Sequence, residues 1–378
     1  MKILFIAMRF RRDGFATNVL DLTQGLVERG HEIHLITSGF LKSDDQGEDT
    51  YFKKLQQDLK DWGVKVYYFK EPKGNVLKKG ILSITETLKV LSYILKINAD
   101  IIHAQSPNTT LFPWLLGKKY ISTVHTDTIR PSFSYKHPDL LIAVSSGSKD
   151  FTEKIMGTDP KTVRIVHHGI SKRFADQISK EEINRLKQQN KIPTDKIIVG
   201  FVGRLIKAKG LDVLINAVAH HLPKDMLDKI HLVLVGHFDD TAGEKWLMDL
   251  VEHENLEKKV SILPFQDPKP VYQMFDIFTL PSRIDTFGLV AVEAMMSGCC
   301  TIRANSYGAT DQIDHGKSGF IYDMEDAKQL GNLLNQVIND DELRYKLALA
   351  GKEKALIQFT KDSMVEKTLT VYEELKQL

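Results

Sequence analysis

Short apolar runs alternate with amphipathic stretches along the whole chain, and this rhythm restricts the fold more than any other feature. In the first half, runs at 3–7, 33–37, 64–69, 101–103, 121–124, 140–144 and 163–166 read as strands. Stretches 16–29, 77–96 and 146–156 between them have helical spacing. Such runs, rich in Val, Ile and Leu, suit a parallel sheet covered by helices on both faces. After a polar stretch at 171–196 the rhythm restarts, with strands expected at 197–202, 231–235, 260–263, 277–280 and 301–302. Helices are expected near 211–220, 244–254 and 289–297. The fold class is therefore α/β, with two doubly wound Rossmann-like domains, 1–170 and 197–360, facing across a cleft. The polar stretch 171–196 reads as the hinge. A last helix, 361–378, has no strand after it and is expected to cross back to the first domain. A length of 378 residues suits two cores better than one.

Composition excludes several classes. With 42% hydrophobic and 26% charged residues the chain is an ordinary globular one. Its net charge of +2 hides an asymmetry: residues 1–170 hold 24 Lys/Arg against 18 Asp/Glu, and the remainder 27 against 31. That excess is too dilute for a nucleic-acid binder but suits an anionic membrane surface. The two cysteines, Cys299 and Cys300, are neighbours, which gives no disulfide framework and points to a reducing cytosol. "MKILFIAM" imitates a short signal sequence, but "RFRRDG" follows where a small-residue cleavage site would lie. No apolar run approaches the roughly 18 residues of a spanning helix. A cytoplasmic protein, at most peripheral at the inner membrane face, is expected. The basic amphipathic stretch 71–96 reads first as a helix packed on its own sheet. Its second reading is membrane contact through Lys73, Lys78 and Lys79.

In doubly wound sheets, ligands bind beyond the carboxyl ends of the strands. Six expected strand exits carry glycine, histidine or charge: "RFRRDGFATN", "HTDT", "HHG", "GRLIKAKG", "GHF" and "PSRIDTFG". "GRLIKAKG" (203–210) says most. Gly203 and Gly210 permit close approach of the backbone to a ligand, and Arg204 and Lys209 add cations beside a helix N-terminus. A phosphate or diphosphate fits such a loop; the alternative is a solvated basic turn. It is not a Walker loop, and no Gly-x-Gly-x-x-Gly follows the first strand, which weighs against a nicotinamide-dependent dehydrogenase.

"RIDTFGLVAVEAM" (283–295) places Asp285 before a turn at Phe287 and Gly288, and Glu293 inside an apolar helix. Main-chain amides of Thr286 to Leu289 would open that helix and make a second anion- or hydroxyl-binding mouth. Glu293, one turn beyond Leu289, would face the same crevice and suit a ribose diol, while Asp285 would suit sugar hydroxyls. Cations for a diphosphate and carboxylates for diols together describe a nucleotide sugar. The competing account makes Asp285 a helix cap and Glu293 a solvated side chain. His125, leaving a strand of the first domain, is either a structural histidine or a ligand contact. His103 reads as structural and "HHG" (167–169) as a turn near the hinge. No cluster has metal-ligand spacing.

These residues resemble the retaining glycosyltransferases of family 4, enzymes of the GT-B fold. The resemblance spans nearly the whole chain, through "GHEIHLIT", "STVH", "VHHGI", "GRLIKAKGLDVLINA" and above all "LPSRIDTFGLVAVEAMMSG" followed by "DHGKSGF". It implies that Asp285 touches the donor sugar and Glu293 the nucleotide ribose. Arg204 and Lys209 would hold the diphosphate, His125 would be the donor-side histidine, and Gly14 the glycine of the first loop. Departures are Asp285 for the usual Glu, His168 for the usual Asn before Gly169, and Asp13-Gly14 for a double glycine. The resemblance implies no metal and no cofactor, with a UDP-linked sugar as donor substrate. Acceptors would be a glycan, glycolipid or glycoprotein in cell-surface assembly. Two rivals share the fold-level features: a nucleotide-sugar isomerase or epimerase, and a non-catalytic sugar-nucleotide-binding subunit.

Overall fold

The computed structural model describes residues 1–11, 13–40, 46–71, 76–126 and 132–378, with side chains for all of these except 46–50 and 76–80. Two compact units result: Met1–Gly169 together with Lys361–Leu378, and Ile170–Thr360.

The first unit is built on seven strands: β1 (Lys2–Ala7), β2 (Glu32–Thr37), β3 (Lys65–Tyr68), β4 (Ile101–Ala104), β5 (Ile121–Val124), β6 (Leu140–Ala143) and β7 (Val163–Ile165). They pair in the order β3-β2-β1-β4-β5-β6-β7, each pair parallel. The second unit carries β8 (Ile197–Val202), β9 (Ile230–Gly236), β10 (Val260–Pro264), β11 (Ile277–Leu280), β12 (Cys300–Ala304) and β13 (Phe320–Tyr322). Its order is β10-β9-β8-β11-β12-β13, again parallel throughout. The expected doubly wound α/β class is found in both units. The short strand β13, in "SGFIYD", is an addition.

Burial explains the near-continuous apolar runs. All seven residues of β9 are buried, as are all of β4, β5, β6, β11 and β12, because helices cover both sheet faces. In each sheet the chain reverses its winding direction beside one strand pair, β1/β4 in the first and β8/β11 in the second. A doubly wound sheet opens a crevice at that switch point, so the exits of β8 and β11 are where unusual side chains should collect.

The polar stretch 171–196 is not a linker. It folds into a 3-10 turn at Lys172–Ala175 and a helix at Lys180–Gln189, both inside the second unit. Phe174 is buried there with its ring edge-on to Tyr272, and Lys352 donates to the Ala175 carbonyl at 3.1 Å. Its polarity is that of an exposed amphipathic helix, which composition cannot tell from a hinge. The chain passes between the units at 169–170 and again at 360–361.

The terminal helix Lys361–Gln377 belongs with the first unit. Met364, Val365, Thr368, Val371, Tyr372 and Leu375 are buried at helical spacing against the core around Gly14–Val27. At about 1.5–3 kcal/mol for each large apolar side chain fully buried, this docking is worth several kcal/mol.

The helix Val76–Ile97 shows two apolar faces. Val90, Ile94 and Ile97 are buried against its own sheet. On the opposite side Ile81, Ile84, Leu88 and Leu95 are 57%, 64%, 61% and 56% exposed. Lys73 lies outside the described residues, as do the side chains of Lys78 and Lys79. Among the described residues no helix is long and apolar enough to cross a membrane.

Candidate functional site

The exits of β8 and β11 are joined into one structure in the second unit. After β8 the chain makes a single 3-10 turn, Lys207–Lys209, which ends at Gly210 with φ +68°. A Cβ at Gly210 would lie 1.9 Å from the Pro281 carbonyl oxygen, so the two loops approach backbone to backbone only because this residue is glycine. The Arg283 amide donates to the Ala208 carbonyl at 3.1 Å. The Arg283 guanidinium grips both carboxylate oxygens of Asp212 at 2.8 Å and also reaches Glu325 and the Lys207 carbonyl. Those carboxylates, Asp212 first, hold its pKa above the usual arginine range. This fork-on-fork pairing ties the loops at a fixed spacing.

Lys209 and Asp285 meet across that seam. Lys209 Nζ lies 2.8 Å from Asp285 Oδ2, with the two side chains 18% and 16% exposed. Arg204 behaves differently: it is exposed and reaches Asp239, beyond β9, at 3.2 Å. Arg204 and Lys209 therefore have separate carboxylate partners, and Asp239 was not singled out in the sequence. Gly203 bonds through its amide to the Val235 carbonyl at 3.0 Å, anchoring the start of the loop on β9.

The helix carrying Glu293 starts at Leu289, not at Thr286. Gly288, with φ +79°, is its N-cap and no side chain caps it, so Asp285 is not a helix cap. Thr286 and Phe287 form the turn before it. The Phe287 side chain, 2% exposed, packs edge-on to Phe359 and is committed to the core. Its carbonyl accepts from Arg303 Nη1 at 3.0 Å and from Gln312 Nε2 at 2.6 Å. Leu289 is partly exposed at the first helical position. Glu293 is not simply solvated. It accepts a 2.8 Å hydrogen bond from the hydroxyl of fully buried Tyr272, whose own pKa is pushed far up by burial and by the Glu293 charge.

Arg303 is a further residue of this site that sequence reading passed over. It is fully buried on β12 and donates to the carbonyls of Phe287 and Tyr307, to Ser306 Oγ and to Gln312 Oε1. Burial lowers its pKa to about 10. The signal was an arginine inside the buried run "CCTIRA", since a lone charge there must have a purpose.

The first unit holds the remaining residues. Gly14 is the first residue of the helix Gly14–Val27, and Asp13 caps that helix by accepting from the Ala16 amide at 3.0 Å. His125, at the exit of β5, has both ring nitrogens engaged, Nδ1 with His168 Nε2 at 3.2 Å and Nε2 with Gln105 Oε1 at 3.1 Å. Burial pushes its pKa down to about 3, so the ring is neutral. His168, expected to belong to a simple turn, is buried beside His125. His103 is fully buried between Tyr372 and Thr123, as a structural histidine should be. Among the described residues no group of three His, Cys, Asp or Glu is placed to hold a metal ion.

Two family models match the chain: "Glycosyltransferase Family 4" over residues 12–173 and "Glycosyl transferases group 1" over 182–354. The D-inositol 3-phosphate glycosyltransferase of Corynebacterium jeikeium is 30% identical over 244 residues, 63% of this chain and 58% of its own length. The match thus spans little more than half of that relative. The N-acetyl-alpha-D-glucosaminyl L-malate synthase of Bacillus anthracis is 25% identical over 374 residues, covering 93% of this chain and 91% of its own. In fold, the chain is similar to HepE of Anabaena, solved in complex with UDP, with a TM-score of 0.82 and 21% identity over 100% of both chains.

Proposed function

This chain belongs to the family 4-type GT-B glycosyltransferases, and from that premise we propose that it transfers a hexose or N-acetylhexosamine from a UDP-sugar to an acceptor with retention at the anomeric carbon. The observation that carries the reading is the Lys209–Asp285 pair, held where two strand-exit loops are locked together. An ammonium has three donors, so Lys209 can keep Asp285 and still donate to a diphosphate oxygen. Arg204 supplies a second cation for the diphosphate, with Gly203 at the start of its loop. Asp285 accepts from sugar hydroxyls and Glu293 from the ribose diol, while the 286–289 turn offers its main chain to the donor. By the family resemblance His125 contributes a further donor contact, and Gly14 a first-loop one.

In the proposed reaction the bond from the anomeric carbon to the diphosphate oxygen breaks, and its electron pair leaves with UDP. The acceptor hydroxyl oxygen bonds to the same face of that carbon, and its proton passes to the departing diphosphate. Arg204 and Lys209 stabilise the charge that develops there. Preorganised donors of this kind contribute about 10²–10³ in rate each. No metal or cofactor enters this scheme, and the acceptor is a glycan, glycolipid or glycoprotein of cell-surface assembly.

Peripheral contact with a cytosolic membrane face belongs to the same proposal, carried by the exposed stripe Ile81, Ile84, Leu88 and Leu95. Co-sedimentation with phosphatidylserine-containing vesicles should be reduced by Leu88→Glu without a change in thermal midpoint. Vesicle binding that is equal in both proteins would remove the membrane contact.

A panel of nucleotide sugars in a thermal-shift assay tests the donor. A ligand at 100 times its Kd stabilises by about 2.7 kcal/mol. UDP-sugars should shift the midpoint and GDP- or ADP-sugars should not. With a shifting donor and an acceptor library, NMR of the product should show a retained anomeric configuration. An interconverted sugar in the absence of acceptor would instead mean an isomerase, and binding with no transfer to any acceptor a binding subunit.

A further inference from the structure

Behind His125 the first unit carries a connected run of polar side chains. Tyr372 Oη lies 2.8 Å from His103 Nδ1, which also lies 3.2 Å from Gln105 Nε2. Gln105 Oε1 lies 3.1 Å from His125 Nε2, and His125 Nδ1 lies 3.2 Å from His168 Nε2. His103 Nε2 closes the far end on Thr123 Oγ1 at 2.7 Å. Tyr372, His103, Gln105 and His168 are all buried. Burial also pushes His103 and His125 down to about 3, so each ring carries one proton at neutral pH. What remains open is which nitrogen holds it.

Only two arrangements are self-consistent, because the Gln105 amide has one donating end and one accepting end. In the first, Tyr372 donates to a bare His103 Nδ1. Gln105 then turns its N–H toward that nitrogen and its oxygen toward His125, which must carry its proton on Nε2. His125 Nδ1 is left to accept from His168 Nε2–H. In the second, His103 carries its proton on Nδ1 and every later step reverses, ending with His125 protonated on Nδ1. The tautomers of His103 and His125 are therefore the same in either case. Of the two hydroxyls on His103, the phenol is the more acidic and the better donor, which selects the first arrangement.

We propose that Tyr372, carried by the C-terminal helix, is a positioning residue that sets the tautomer of His125 through His103 and Gln105. His125 then keeps its proton on Nε2 and offers Nδ1 as an acceptor. The use of this device rests on the reading of His125 as a donor contact: a sugar hydroxyl that donates would take the place of His168 Nε2–H on the accepting Nδ1. Each buried hydrogen bond in the run also polarises the next, which reinforces the choice.

The test is a long-range proton–nitrogen correlation spectrum of the full chain labelled with nitrogen-15 histidine, at neutral pH and without donor. It separates protonated from bare ring nitrogens, with signals assigned through His103→Gln and His125→Gln. Wild-type protein should show both rings protonated on Nε2. In Tyr372→Phe both should move together toward the Nδ1–H form, and Gln105→Met should uncouple them. Opposite tautomers at His103 and His125 in the wild type would overturn the relay, and that outcome needs no variant to fold. A folded Tyr372→Phe protein in which His125 keeps its wild-type tautomer would overturn the role of Tyr372. If the His125 tautomer reverses while transfer from UDP-sugar is unchanged, the relay stands and the donor-contact reading of His125 falls.

Discussion

An aspartate in place of the longer glutamate matters because of what it touches. Asp285 stands 2.8 Å from Lys209, and the pair straddles the seam between two loops. Replacing Asp285 by Asn keeps the shape but exchanges a charged acceptor for a neutral one. Hydrogen bonds to charged groups contribute about 1.5–3 kcal/mol against about 1 for neutral ones. The expected loss is roughly 0.5–2 kcal/mol of transition-state binding, or about 2–30-fold in kcat/KM. UDP alone, which lacks the sugar, should bind with nearly the wild-type Kd by calorimetry. Full activity of Asp285→Asn with every donor tried would remove the sugar contact. Arg204→Ala is a different case, since the side chain is exposed on a strand exit. Its thermal midpoint should stay within about 1 °C of wild type, while turnover falls about 10²–10³-fold. Near-normal turnover would withdraw the diphosphate assignment. At this scale the sequence named Lys209, Asp285 and Glu293 by their chemistry. It could not show that Lys209 pairs with Asp285 or that Tyr272 donates to Glu293, because those partners are 76 and 21 residues apart.

Among the elements, β12 and the turn before the helix Leu289–Ser297 depend on each other. Arg303 reaches out of β12 to hold the Phe287 and Tyr307 carbonyls, and Gly288 leaves room for its guanidinium, 3.3 Å from where a Cβ would stand. Arg303→Met fills similar volume but removes these donors. Each buried polar group left without a partner costs about 1–3 kcal/mol. Because Gln312 still serves the Phe287 carbonyl, a net loss of about 2–4 kcal/mol is expected. For a unit of this size that lowers the midpoint by roughly 5–15 °C. Calorimetry should show it, together with weaker UDP binding as the turn loosens. A midpoint within about 2 °C of wild type would mean that the turn holds without Arg303.

For the molecule as a whole, the distribution of buried histidines predicts how it fails in acid. His103 and His125 have folded pKa values near 3 against 6.5 for the free side chain, and burial drives His168 in the same direction. A depressed folded pKa means that the unfolded chain binds protons first. The contribution of each group is therefore complete above pH 6.5 and is lost as pH falls below it, for His103 and His125 down to about 3, by about 1.4 kcal/mol per pH unit per histidine. All three lie in the unit formed by Met1–Gly169 and Lys361–Leu378. Hydrogen exchange between pH 7 and 4.5 should show that unit losing protection before Ile170–Thr360. Loss of both at one pH would contradict the assignment. The same unit should also depend on its last helix. Removing residues 361–378 strips Met364, Val365, Val371, Tyr372 and Leu375 from its core. At about 1.5–3 kcal/mol each, that is comparable with the 5–15 kcal/mol of a whole domain. Proteolysis of the truncated chain should cut within 1–169 and spare 170–360, whereas a resistant first unit would show that the helix is dispensable.

The sequence by itself determined the two parallel sheets, since burial on both faces demands continuous Val, Ile and Leu runs that remain legible as a string. It also singled out the loops that carry the candidate site, because glycine, charge and histidine just after a buried strand have few structural uses. Tertiary structure decided the partners. It turned 171–196 from a hinge into part of the second unit, brought Tyr372 beneath His103 across 269 residues of chain, and set Arg303 under the turn at Phe287. Periodicity and composition report which face of an element is buried. They carry no information about which buried group meets which, and hydrogen bonds and ion pairs are formed between groups brought together only when distant segments pack.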